Sequence, residues 1–167
     1  MRFADAAHAP EIAALIESAY RGEESRRGWT TEAHLIEGAR TSVAEIESLI
    51  AAPQARFLIA VENEVIVGCA LIRDNGGIGY FGMFAVRPGL QGAGLGAGIL
   101  AFAEQKIAGL WSCRKIEMTV ISIREDLIAY YERRGYKRAG TKPFPFDKEP
   151  GAKRTDFHFV VLTKRLA

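Results

Sequence analysis

Residues 80–111, YFGMFAVRPGLQGAGLGAGILAFAEQKIAGLW, constrain this chain more than any other stretch. An apolar, strand-like run ends at Val86 and passes into a loop rich in glycine. Leu95, Ile99, Phe102, Ala103, Ile107 and Leu110 then recur at helical spacing, so the loop opens directly into a helix. Strand, glycine loop and helix in succession present backbone N–H groups at a helix N-terminus with no side chains in the way. Such a place suits an anionic group, most often a phosphate or pyrophosphate. Glycine also permits positive φ and close approach of a ligand to the backbone. The chain carries 17 glycines in 167 residues, above the usual frequency of about 7%. The surplus is concentrated in this stretch and just before it, at positions 76, 77, 79, 82, 89, 92, 94, 96 and 98.

The rest of the composition bounds the fold and excludes function classes. A chain of 167 residues buries roughly 70% of the surface it exposes when unfolded, enough for one full core, so one domain over 1–167 is expected. Lys and Arg number 22 against 20 Asp and Glu, which removes the bulk electrostatic reason to expect a nucleic-acid or membrane-surface partner. A local excess of cations lies between Arg133 and Arg154; with arginines at a helix end, it reads as a solvated face. The longest stretch without a charge, Pro88 to Ala103, is interrupted by glycines and falls short of the roughly 20 apolar residues a membrane span needs. Asp5 and Glu11 interrupt the N-terminal segment before an apolar signal core develops, so no secretion signal is expected. Cys69 and Cys113 make neither a disulfide framework nor a zinc site. A reducing, cytoplasmic setting and no metal follow as expectations.

Along the chain, Ile12, Leu15, Ile16, Ala19 and Tyr20 form one helical stripe after Pro10, with Gly22 ending the helix. Residues 21–32 read as a polar loop carrying Trp29. Ser42 and Glu45 have capping-box spacing before Ile46, Leu49 and Ile50, and the helical region is expected to begin near Thr31 and break around Gly38. Segments 56–61 and 65–72, rich in branched residues, predict an antiparallel hairpin, and DNGG at 74–77 turns into a third strand. Residues 115–121 alternate as a strand. Residues 125–135 form a helix with acids first, arginines last and Gly135 as its C-cap. Residues 136–141 and 156–166 are the two final strands. The expected fold is mixed α/β: a mostly antiparallel central sheet of about six to seven strands flanked by about four helices.

Three phosphate-binding patterns compete for the glycine loop. A P-loop needs Lys-Ser/Thr after its second glycine, and no lysine lies between Gly89 and Lys106. Gly92, Gly94 and Ala97 satisfy the dinucleotide pattern G-x-G-x-x-A, but the preceding strands read as hairpins instead of βαβ units. The third pattern is VRPGLQGAGLG, residues 86–96, which resembles the acyl-CoA signature Q/R-x-x-G-x-G/A of the GNAT superfamily of N-acetyltransferases, here Gln91, Gly94 and Gly96. LIAYYERRGY, residues 127–136, is similar to that superfamily's later helix motif, in which an aromatic precedes E-x-x-G-F/Y.

The resemblance implies acetyl-CoA as cosubstrate and a small-molecule or peptide amine as acceptor. The pantetheine arm would lie along backbone at Phe84, Ala85 and Val86, with the pyrophosphate on amides of Gln91, Gly92, Ala93, Gly94, Leu95 and Gly96. Tyr131 aligns with the acid that protonates the departing thiolate, and Tyr130 points about 100° away from it, toward packing. Many members carry a glutamate base on the glycine-loop strand, which here has no acid; Glu117, on the strand at 115–121, is the candidate in its place. Arg124 stands where many members have a cofactor-contacting Asn. Glu23, Glu24, Trp29 and His158 are the candidates for the acceptor side. A homodimer through the terminal strands is also implied. A non-catalytic acyl-CoA-binding regulatory module, motivated by the missing strand acid, and a dinucleotide-binding oxidoreductase remain the alternatives.

Overall fold

The computed structural model describes residues 1–21 and 31–167. Their element order is β1 (Arg2–Phe3), α1 (Ala9–Tyr20), α2 (Val43–Ala51), β2 (Ala55–Glu62), β3 (Val65–Asp74), β4 (Gly79–Val86), α3 (Leu95–Trp111), β5 (Lys115–Ile121), α4 (Glu125–Glu132), β6 (Lys137–Lys142) and β7 (Phe159–Arg165). All of these strands join one sheet in the order β1-β2-β3-β4-β5-β7-β6. Neighbours are antiparallel except β4 and β5. The mixed α/β architecture expected from the periodicities is therefore the one formed.

Turn chemistry sets the first three long strands in register. Asn63 and Glu64 both take positive φ (+49° and +64°), the type I′ geometry whose twist matches a hairpin, so Glu62 pairs with Val65. In the next turn the Asp74 carboxylate accepts the Gly77 N–H at 2.7 Å, while Gly76 and Gly77 supply the positive φ values it needs.

Helices cover both faces. On one, Ile12, Leu15 and Ile16 of α1 and Ile46 of α2 pack on Phe57, Ile59 and Leu71. On the other, Ile99, Leu100, Ala103 and Ile107 of α3 pack on Ile72, Phe81, Ile116 and Met118. Each such side chain contributes about 1.5–3 kcal/mol when fully buried. Two glycines let α3 settle this close: a Cβ at Gly79 would lie 2.2 Å from Ile107 Cγ2, and one at Gly68 would lie 2.5 Å from Ile99 Cδ1.

Two sequence expectations are corrected. No helix begins near Thr31: α2 starts at Val43, with the Ser42 hydroxyl accepting the Glu45 N–H at 3.2 Å. Residues 31–38 instead form turns and an isolated bridge, Ile36 to Ala152, beside which the Glu37 N–H donates to Gly151 at 2.7 Å. Leu35 and Ile36 are buried there with Phe144 and Phe157, so an apolar pair that could have extended a helix serves a loop-on-loop contact. The last strand begins at Phe159 instead of 156, because the His158 N–H turns to the Ser122 hydroxyl. Gly22, expected to end the first helix, lies outside the described residues.

Candidate active site

The single parallel pairing in the sheet is short. β4 and β5 pair only through Gly79–Ile116 and Tyr80–Glu117, and beyond Tyr80 they part. Residues 81–84 of β4 and 118–121 of β5 face each other across a cavity of about 300 Å³. An extra residue on β4 accompanies the parting: Cys69 pairs with Ala85 but Leu71 with Gly82, so three steps on β4 match two on β3. Met83 within this bulge holds φ +44°, a left-handed conformation that costs a non-glycine residue of order 1 kcal/mol and bends the strand. Two side chains fix the bulge. The Tyr20 hydroxyl donates to the Phe84 carbonyl, and the Cys69 thiol points to the Met83 carbonyl at 3.7 Å.

A groove of about 340 Å³ lies beyond Phe84, which lines both spaces. Gln91, Gly92, Gly94 and Gly96 form one wall, and Tyr130, Arg133 and Arg134 form the other. Gly92 and Gly94 take φ +91° and +84°, and α3 begins at Leu95 with no side-chain cap. Its first amides thus carry no side-chain cap and could receive an anion, and two guanidiniums line the same groove. A Cβ at Gly96 would lie 3.1 Å from Phe84 Cζ and 3.3 Å from Tyr130 Oη, so a side chain there would crowd the junction of groove and cavity. The loop is closed on itself by Gln91 Nε2, which donates to the Val86 carbonyl at 3.2 Å. The donors, the glycine conformations and the cations together fit a pyrophosphate.

At the end of α4, the Gly135 N–H donates to the Glu132 carbonyl at 3.0 Å and the Tyr136 N–H to the Tyr131 carbonyl at 3.2 Å, with Gly135 at φ +91°. This is a Schellman cap, and it explains the spacing of Tyr131, Gly135 and Tyr136. Tyr131 lines the cavity while Tyr130 lines the groove. Burial raises the Tyr131 pKa well above an ordinary phenol's 10.0, so the group holds its proton.

A family model for the acetyltransferase (GNAT) family matches residues 13–136, from α1 to the Schellman cap. The chain belongs to the GNAT acetyltransferase family. No curated protein sequence matches it. Among solved structures, a ribosomal-protein-alanine N-acetyltransferase from Brucella melitensis superposes with TM-score 0.73 at 16% identity, covering 99% of this chain and 98% of that one. The ribosomal-protein-S18-alanine N-acetyltransferase from Escherichia coli gives 0.73 at 13% identity over 99% and 92% of the two chains. A protein described as a streptothricin acetyltransferase from Bacillus anthracis, in complex with acetyl coenzyme A, gives 0.61 at 16% identity over 72% and 67%. At these identities the likeness speaks for the GNAT fold.

Within this GNAT domain the sequence candidates separate. Phe84, Val86, Gln91, Gly92, Gly94 and Gly96 converge on the groove. Ala93 and Leu95 face a neighbouring hollow beside Met1 and Ala60, and Ala85 is buried on the α1 side, which leaves these three their backbone groups alone. Arg124 lines the cavity, not the groove; its guanidinium meets the Asp126 carboxylate at 3.2 Å and the Thr31 carbonyl at 3.0 Å. Glu117 sits at the closed end of the parting, 3.6 Å from the Lys115 ammonium, outside the residues that line the cavity with Tyr131. His158 is exposed and lies outside that lining as well. Glu23, Glu24 and Trp29 lie outside the described residues.

Sequence reasoning missed Tyr20, Glu32, Arg40, Phe144 and Glu149, all on the cavity wall. Tyr20 carried the one available signal, a phenol ending an apolar helical stripe, whose polar tip needs a partner. The others come from segments without periodicity. Among the described residues, no helix is long and apolar enough to cross a membrane, and no three His, Cys, Asp or Glu side chains group to hold a metal ion.

Proposed function

We propose that this chain transfers an acetyl group from acetyl-CoA to an amine by direct attack in a ternary complex. The observation that carries the reading is the junction at Phe84, which lines both the groove on the glycine loop and the gap between β4 and β5. Acetyl-CoA, when bound, supplies an activated acyl carbonyl for the acceptor nitrogen to attack. Amides of residues 91–96 and the Arg133 and Arg134 guanidiniums hold the pyrophosphate. Backbone of β4 at Phe84 to Val86, left without a β5 partner, aligns the pantetheine arm and offers N–H dipoles to the carbonyl oxygen.

The Tyr131 phenol, facing the cavity, gives its proton to the departing sulfur as the N–C bond forms and the C–S bond breaks. The acceptor nitrogen releases its own proton to solvent in the cavity, and the Tyr131 phenolate takes a proton back from that solvent. Catalysis on this account rests on proximity and preorganised dipoles, with no covalent enzyme intermediate. A CoA-thiol release assay over amino acids, polyamines, aminoglycosides and peptides tests the reading, and release with at least one amine is expected. Acetyl-CoA binding with no release across the whole panel would instead support the regulatory-module reading, which the position of Glu117 outside the cavity favours.

A further inference from the structure

We infer that the amine accepted in this cavity also carries a carboxylate, held by Arg40, so that the acceptor belongs to the free amino acid class. The inference rests on the acetyltransferase reading of the same site. Among the described residues, five charged side chains line the cavity: Arg21, Glu32, Arg40, Arg124 and Glu149. Arg21 and Glu32 pair at 3.4 Å, and Arg124 is engaged by Asp126 and the Thr31 carbonyl. Neither the Arg40 guanidinium nor the Glu149 carboxylate has a hydrogen-bond or ion-pair partner among the described residues. One cation and one anion are thus left facing a cavity of about 300 Å³ without pairing with each other.

Arg40 is held in place by its backbone. Its N–H and that of Thr41, the latter at 3.0 Å, both donate to the Glu17 carboxylate on α1. Its guanidinium carbon stands 5.9 Å from the centre of the Tyr20 ring, and the Tyr20 hydroxyl is bound to the Phe84 carbonyl. Ring and hydrogen bond together keep the guanidinium within roughly 11 Å of the Phe84 carbonyl, beside the proposed acyl-transfer position. That reach suits a molecule whose amine and carboxylate are a few bonds apart. The guanidinium fork matches a carboxylate in bidentate geometry. The anions of the acyl donor do not need this cation, since Arg133 and Arg134 stand in the other space. Glu149 offers the opposite charge to an ammonium, and Tyr80, Phe144 and Phe159 give the cavity an apolar wall for a side chain.

The test titrates CoA-saturated protein by calorimetry with leucine, phenylalanine, their amides and putrescine, and runs the thiol-release assay on the same set. At least one amino acid is expected to bind roughly 10-fold or more tightly than its amide, which keeps the amine and lacks the carboxylate. Arg40→Gln is expected to weaken the amino acid roughly 10- to 100-fold while leaving the amide and acetyl-CoA affinities unchanged, with Arg40→Lys recovering part of the loss. A thermal melt confirms that each variant is folded. Equal binding of acid and amide, equal weakening of both by Arg40→Gln, or turnover with putrescine alone would overturn the inference. Failure of the underlying reading shows separately, as absent acetyl-CoA binding or as an amino acid that binds and is never acetylated.

Discussion

Tyr131 and Tyr136 close one helix end together: the Tyr136 N–H caps the Tyr131 carbonyl at 3.2 Å, and their rings meet edge to face at 5.8 Å. The Tyr-x-x-x-Gly-Tyr spacing is therefore a C-cap with its hydrophobic contact, and its product is a phenol fixed on the cavity wall. The cap supplies position, and burial supplies protonation. The same phenol would be a poorer donor on a frayed helix end, where its ring could leave the cavity.

Replacing Tyr131 by Phe removes the proposed proton donor and keeps the ring packing. Turnover is expected to fall roughly 100-fold with acetyl-CoA affinity nearly unchanged, read by steady-state kinetics beside calorimetry. Loss of both together, or of neither, would contradict the acid role.

Glu117 lies where β4 and β5 still pair, beside Lys115. Glu117→Gln is accordingly expected to change kcat/KM by no more than a few-fold. A large loss, with the pH profile of kcat/KM losing its acidic limb, would restore this carboxylate as the base.

Gly94 is the N-cap of α3 at φ +84°, a conformation that a β-branched residue adopts only at a cost of roughly 1–2 kcal/mol. Gly94→Val is expected to raise the acetyl-CoA dissociation constant at least roughly 10-fold, measured by calorimetry on protein shown to be folded. Unchanged affinity would argue against the pyrophosphate assignment.

Gly79 admits α3 to the sheet, since an added Cβ would lie 2.2 Å from Ile107 Cγ2. Gly79→Ala is expected to cost about 1–3 kcal/mol through overpacking. In the Ile107→Ala background the same change should cost less, because the colliding methyl is gone. Equal costs in a urea-denaturation double-mutant cycle would show that the two positions do not meet.

Burial pushes the Cys69 thiol up to about 12 from 9.0. Below 9.0 both folded and unfolded chains keep this proton. Between those values only the folded chain does, so stability falls as pH rises, by about 1.4 kcal/mol per pH unit for one group. The buried phenols of Tyr20 and Tyr131, also raised, act in the same direction. Urea unfolding at roughly pH 8 and 10.5 should show a smaller alkaline loss in Cys69→Ala than in the parent, by roughly 1–2 kcal/mol. An identical loss would place the alkaline sensitivity elsewhere.

Most of the groove was readable in one dimension because its parts are consecutive. Gln91 to Gly96 form a single loop whose conformation is written in its glycines, and Tyr131 to Tyr136 form a single cap. The cavity was not readable in this way. Tyr20 on α1, Arg40 on a turn, Met83 in a bulge and Glu149 in a late loop share no periodicity, and the first three are placed through distant partners, Phe84, Glu17 and Cys69.

The amino-acid sequence by itself determined the hairpin turns, the helical stripes, the anion-binding loop and the capped phenol, since these depend on local φ, spacing and capping. Only the tertiary structure decided how far β4 and β5 pair, where β7 enters the sheet, and which charges face the cavity. β7 joins between β5 and β6 because its buried Val160, Val161 and Leu162 need cover on both faces, whereas the exposed, lysine-bearing β6 tolerates the edge. Glu117 shows the same division: its alternation along β5 was legible, but its place at the closed end of the parting depends on a bulge in another strand. Such pairings follow from packing between segments far apart in the chain.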